Sequence, residues 1–178
     1  MANTSHLFHS DDADKQTLHR RITPSEDQQK TQQDRWGDLA DYLKDSLSEK
    51  TGYPVSSWLQ GSYKLRTQTR PVKIGKTFDI DLGIYFEWGA DSDGTDPGPK
   101  KLKEIVQGAL HEYGSELEED VMVLEPPKKR CCRIVFQDDF HIDVPTYHLD
   151  RAKDERCPPS AFVRQVEGFS YWRDSGSS

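Results

Sequence analysis

The chain has 178 residues, a formal net charge of −7 and 33% hydrophobic side chains, with Leu, Ile, Val and Phe totalling 36. That length suits one ordinary domain, but the apolar content lies at the border of disorder and excludes a uniformly packed 178-residue globule: part of the chain is unstructured, or it is a piece of something larger. The acidic balance argues against general nucleic-acid binding, which draws on Lys and Arg, and no run approaches the roughly 18 apolar residues of a membrane span.

Residues 1–22 are polar and without period, and read as a loose arm lacking the apolar core of a signal peptide. Thr23-Pro24-Ser25-Glu26 fits a capping box with proline at the first helical position. Trp36, Leu39, Ala40, Leu43 and Leu47 then follow helical spacing to a stop at Gly52. Pro54–Leu59 reads as a strand, broken by Gly61-Ser62 into a short helix. From Tyr63 to Thr77 lie Lys64, Arg66, Arg70, Lys73 and Lys76 with no acid, a +5 segment in an acidic chain. Such a segment suits a compact anion such as a triphosphate; a solvated loop is the alternative.

The clearest strand runs from Phe78 to Phe86. Phe78, Ile80, Leu82, Ile84 and Phe86 point one way, and Asp79, Asp81, Gly83 and Tyr85 the other. A Gly/Asp/Pro-rich linker leads to Pro99 and a second amphipathic helix carrying Leu102, Ile105, Val106, Ala109 and Tyr113, with Gly114 as its stop. Val121–Leu124, Cys131–Phe136 and Phe140–Tyr147 follow as strands, with Met122 in the core; a second basic cluster, Lys128, Lys129, Arg130 and Arg133, follows Pro126-Pro127 and carries the same two readings, a site for a compact anion or a solvated face. Phe140, Ile142 and Val144 face inward, so His141 and Asp143 face outward. Cys131, Cys132 and Cys157 match no disulfide framework or zinc spacing and read as reduced cytoplasmic thiols. Trp36, Trp58, Trp88 and Trp172 read as packing residues, Ser160–Val166 as a further helix, and the Gly/Ser ending as a truncation scar. The order predicts an α+β fold with a mixed or mostly antiparallel sheet and flanking helices.

Carboxylates two apart on a strand have Cα atoms about 6.6 Å apart and share a face. Asp79 and Asp81 meet this condition, and Asp143 joins them if its strand is a neighbour. At about 4 Å and an effective dielectric near 20, each pair repels by about 4 kcal/mol. A divalent metal removes the conflict, and hard oxygen ligands suit Mg²⁺ or Mn²⁺. Gly61 permits close backbone approach, and Ser62 with the following N–H groups can cradle phosphate. These pieces describe a triphosphate held by a Gly-Ser turn over a two-metal carboxylate site.

Gly61-Ser62-Tyr63-Lys64-Leu65-Arg66-Thr67-Gln68-Thr69, Phe78-Asp79-Ile80-Asp81-Leu82-Gly83-Ile84-Tyr85-Phe86 and His141-Ile142-Asp143-Val144-Pro145 resemble the nucleotidyltransferase lobe of the bacterial cGAS/DncV-like nucleotidyltransferases. These belong to the DNA polymerase β-like superfamily and make cyclic oligonucleotide signals in CBASS antiphage defence. The resemblance implies that Asp79 and Asp81 bind two metal ions and the donor triphosphate. It implies that Asp143 serves the metal nearest the attacking hydroxyl, and that Gly61 and Ser62 hold phosphate. Lys64 and Arg66 are further phosphate candidates; His141 and Tyr85 face the site, as nucleotide contacts or as packing. The expected substrates are nucleoside triphosphates, the expected location the cytoplasm, and the expected protein partners regulators of a defence operon. The implied layout is an arm over 1–22, a nucleotidyltransferase lobe over 23–172 and a tail over 173–178, without the helical C-terminal lobe of the family. That departure keeps two alternatives open: a non-catalytic lobe that binds nucleotide or a partner, and a transferase that nucleotidylates another acceptor.

Overall fold

The structure is a computed structural model and describes residues 17–71, 77–87, 98–118, 120–137 and 140–149. The helix expected over Ser160–Val166, Trp88, Trp172, Cys157 and the Gly/Ser ending lie outside these residues.

The end of the expected loose arm is a helical turn, α1 (Leu18–Ile22), ahead of the long α2 (Glu26–Thr51). Helix α2 starts two residues later than the predicted box implied. Ser25, not Thr23, is the N-cap: its Oγ accepts from the Gln28 N–H at 3.2 Å, and Gln28 Oε1 accepts from the Ser25 N–H at 2.9 Å. Both tetrapeptides carry the box spacing. With Ser25 as the cap, Glu26 and Asp27 occupy the first two helical positions, against the positive end of the helix dipole. At the other end Gly52 adopts the left-handed conformation (φ 73°), and its N–H returns to the Ser48 carbonyl.

Strands β1 (Val55–Gln60), β2 (Phe78–Glu87), β3 (Met122–Val123), β4 (Cys131–Phe136) and β5 (Phe140–Leu149) form one mixed sheet in the order β1-β2-β5-β4-β3. Among the described residues β2 and β5 run parallel and the other neighbours are antiparallel. Between β1 and β2 sits the short helix α3 (Gly61–Lys64), and α4 (Gly98–Glu116) begins the crossover from β2 toward β5.

Strict alternation gives the sheet two different faces. Leu59, Phe78, Ile80, Leu82, Ile84, Phe86, Cys132, Ile134, Phe136, Phe140, Ile142 and Val144 are buried beneath α2 and α4. From α2 the core receives Leu39, Ala40, Leu43 and Leu47, and from α4 Leu102, Val106, Ala109, Leu110 and Tyr113. The helices are joined by Tyr42 on Tyr113, ring centroids 5.1 Å apart, and by a Lys50–Glu112 ion pair. Trp36 is only partly buried; its indole N–H donates to the Tyr63 hydroxyl and ties α2 to α3.

Two expectations about the crossover fail. Helix α4 runs through Gly114 to Glu116. That glycine serves close packing, since a Cβ there would lie 3.1 Å from Val121 Cγ2. Met122 is 58% exposed rather than core. It pairs with Val135, whereas Val123 pairs with the buried Ile134, so the alternation turns Val123 inward and Met122 outward.

Candidate functional site

The polar face of the sheet carries the chemistry. On β2 the residues alternating with the core set are Asp79, Asp81, Gly83 and Tyr85; on β5 they are His141, Asp143, Pro145 and Tyr147; on β4 they are Cys131 and Arg133. The parallel register sets Asp79 beside His141 and Asp81 beside Asp143, while β4 sets Arg133 beside Asp143 and β1 sets Gln60 beside Asp81. One row across four strands therefore reads Gln60, Asp81, Asp143, Arg133.

Asp143 is buried and already paired. Arg133 grips it with Nε at 2.5 Å from Oδ1 and Nη2 at 2.8 Å from Oδ2, and Lys128 Nζ lies 3.1 Å from Oδ2. Burial acts to raise the Asp143 pKa, but the bonds from Arg133 and Lys128 outweigh it and hold the carboxyl below its ordinary value. Asp81 moves the other way. Burial, and next the charges of Asp79 and Asp143, raise it against the smaller opposing influence of His141 and Arg133. The neighbouring Cys131 thiol is pushed up to about 11, by burial first and by Asp143 second, and is a poor nucleophile there.

Asp79 lies at the exposed edge of the cluster. His141 Nε2 is 2.8 Å from its Oδ1, and Arg133 Nη2 is 3.8 Å away. The buried Gln68 side chain donates to the Asp79 backbone carbonyl at 3.0 Å. Ligand atoms of Asp79, His141 and Asp143 all lie within 4.8 Å of one another. Asp81 shares that face as the register partner of Asp143 but is not in this close group, and its ionised form is disfavoured by burial first and by the charges of Asp79 and Asp143 next; three carboxylates on one face fit a hard divalent cation. Asp143 is the least available of the three, since Arg133 and Lys128 occupy both its oxygens.

Gly61 closes over this cluster. It opens α3 with φ 63°, and a Cβ at that position would overlap the Asp81 carboxylate. Only glycine combines that dihedral with that approach. Ser62 follows within α3, its carbonyl accepting from the Thr67 N–H at 2.9 Å. Lys64 Nζ is held 5.6 Å over the Trp58 ring, and Arg66 is exposed in the left-handed region at φ 56°. The structure thus brings together Asp79, Asp81, Asp143 and Gly61, with Ser62 next in the chain; Lys64 and Arg66 lie on and after the helix that follows.

Farther along the same face Gln60 spans two tyrosines. Its Nε2 donates to the Tyr85 hydroxyl at 2.7 Å, and its Oε1 accepts from the Tyr147 hydroxyl at 3.2 Å. The two rings stack with centroids 4.8 Å apart. The amide runs over Gly83, where a Cβ would lie 2.7 Å from Gln60 Nε2.

The solvated-loop reading of Lys128 and Arg133 fails: Cys132, Ile134 and Phe136 alternate inward, which puts Arg133 on the carboxylate face, and both cations pair with Asp143. The register that pairs Phe136 with Phe140 also aligns Arg133 with Asp143.

A family model described as the nucleotidyltransferase domain of cyclic GMP-AMP synthase DncV-like proteins matches residues 55–147. The chain is 34% identical over 151 residues to a cyclic GMP-AMP synthase of Escherichia albertii, a match covering 85% of this chain and 33% of that protein. It is 31% identical over 107 residues to a c-di-GMP synthase of Roseivirga ehrenbergii, covering 60% and 26%. The chain therefore spans a third or less of the curated relatives it matches. Among solved structures, the apo form of Vibrio cholerae DncV superposes with a TM-score of 0.68 at 16% identity over 86% of this chain and 54% of that one. The cyclic AMP-GMP synthase DncV of Vibrio cholerae bound to a linear intermediate gives 0.65 at 17% identity over 84% and 52%. At those identities the likeness is one of fold.

Proposed function

The chain belongs to the DncV-like nucleotidyltransferase family, and from that premise we propose that it is the catalytic lobe of an enzyme joining nucleoside triphosphates into a cyclic di- or oligonucleotide. The observation that carries this reading is the register of Asp81 against Asp143, with Asp79 two residues away and Gly61 closed over Asp81. In the reaction a ribose hydroxyl attacks an α-phosphate, a new O–P bond forms, and the bond to the leaving pyrophosphate breaks. Asp79 and Asp81 would hold divalent metal, Mg²⁺ or Mn²⁺ in two-ion form, and Asp143 would share the ion on the side of the attacking hydroxyl. Bound metal supplies charge neutralisation and activation of that hydroxyl. Gly61 and Ser62 hold phosphate, with Lys64 and Arg66 on the approach. Such catalysis rests mainly on positioning and electrostatics.

The same reading gives the product a role as a signal in CBASS antiviral defence, with ATP among the substrates, the cytoplasm as location and operon-encoded proteins as regulators; it rests on the family resemblance. No helix among the described residues is long and apolar enough to cross a membrane.

In the full-length protein, Asp79→Ala with Asp81→Ala abolishes nucleotide products from mixed NTPs; undiminished synthesis overturns the reading. A linear adduct on another acceptor, resolved by chromatography, would make the enzyme a modifying transferase instead. A second reading, a non-catalytic nucleotide-binding lobe, is favoured by the pairing of Asp143 with Arg133 and Lys128. Calorimetry with Mg²⁺ and a non-hydrolysable NTP, set beside product formation, separates the two.

A further inference from the structure

Asp79 is steered by a relay that starts outside the acidic cluster. Thr77, the residue before β2, has its Oγ1 2.6 Å from Nδ1 of His141, whose Nε2 lies 2.8 Å from Asp79 Oδ1. His141 is 8% exposed and is the register partner of Asp79 on β5. A carboxylate only accepts hydrogen bonds, so Nε2 carries the proton. In the neutral ring Nδ1 is then an acceptor and the Thr77 hydroxyl must donate to it. The resulting order is Thr77 O–H to Nδ1, then Nε2–H to Asp79. It fixes one tautomer and sets the plane of a carboxylate that is otherwise half exposed.

The closeness of His141 to Asp79 and Asp143 raises the question of whether the imidazole itself ligates the ion. Ligation through Nε2 would cost the bond to Asp79 and force the Thr77 pair to reverse its donor. The observed pattern is that of an outer partner orienting a ligand. We propose that Thr77 and His141 are positioning residues that hold Asp79 in place for divalent metal, with His141 donating to the carboxylate rather than binding the ion. The inference rests on the metal-dependent reading of the site.

Mn²⁺ titration followed by electron paramagnetic resonance, on the full chain and without nucleotide, provides the test. Thr77→Val and His141→Ala are expected to weaken Mn²⁺ binding about tenfold, the usual scale for loss of an outer-shell partner. Thr77→Ser, which keeps the hydroxyl, binds like the unmodified protein, and His141→Gln, which keeps a donor, recovers part of the loss. Pulsed measurements on bound Mn²⁺ show no coupling to a directly bound imidazole nitrogen. Such a coupling, or equal affinity for the Thr77→Val and Thr77→Ser proteins, overturns the proposal. The threonine pair decides the matter even if His141→Ala fails to fold. An unmodified protein that binds no Mn²⁺ overturns instead the metal-dependent reading beneath it.

Discussion

Asp81 and Asp143 are register partners on adjacent parallel strands, and their surroundings drive them in opposite directions. Asp143 is held below its ordinary pKa by two cations. Asp81 is raised by burial and by the carboxylates around it. One member of the pair is neutralised from within the protein, and the other keeps an unmet demand for positive charge.

Removing each charge should therefore change stability with opposite sign. Asp143→Ala leaves Arg133 largely buried without its bidentate partner, at a cost of about 2 kcal/mol. Asp81→Asn relieves repulsion at a partly solvated site and stabilises the metal-free protein by roughly 0.5 kcal/mol. Urea denaturation without divalent metal reads both; a loss of stability in Asp81→Asn contradicts the account.

The same pair sets two pH windows. Because the folded Asp81 pKa lies above its unfolded value, the native state holds the extra proton between the two. Its stabilising contribution is complete below the ordinary carboxylate range and is lost as pH rises through the raised folded value. Asp143 contributes fully above its ordinary pKa and loses that contribution as pH falls through its depressed folded value. Melting temperatures across the acidic range should show that Asp81→Asn removes the first component and keeps the second.

Gly61→Ala should destabilise by about 1–2 kcal/mol, from the positive φ and from displacement of the Asp81 carboxylate. Asp81→Ala in the same chain should return the steric part and leave the dihedral part. A double-mutant cycle measures the coupling, and simple additivity would show that the two residues do not compete for space.

At the other end of the polar face, Tyr85→Phe strands the Gln60 amide in a partly buried position and should cost about 1–2 kcal/mol. Tyr147→Phe should cost only about 0.5 kcal/mol, because Tyr147 is 38% exposed and water can replace its hydroxyl. Equal costs in chemical denaturation would contradict that ordering.

The strands that bear the acids were legible because Phe78–Phe86 and Phe140–Tyr147 alternate without interruption, and alternation alone decides which side Asp79, Asp81 and Asp143 face. Gly61 was legible because a Gly-Ser turn after a strand is a local signal. What escaped reading depends on pairing between distant segments. The grip of Arg133 and Lys128 on Asp143 follows from the β4–β5 register, and the Thr77–His141–Asp79 relay from the parallel β2–β5 register. Met122 was misplaced for the same reason, since a two-residue strand has too little alternation to reveal its phase. The true capping box was hidden by overlap: Thr23–Glu26 and Ser25–Gln28 both fit the pattern.

The parallel pairing of β2 with β5 has a consequence for synthesis of the protein. Parallel neighbours need a crossover, and here it passes through α4, β3 and β4 before β5 can settle against β2. A nascent chain that has emerged only as far as α4 carries Asp79 and Asp81 without Asp143 or the cations that quiet it. The acidic centre closes only when β5, the C-terminal strand among the described residues, settles against β2, so an unfinished copy on the ribosome lacks the pairing of Asp81 with Asp143.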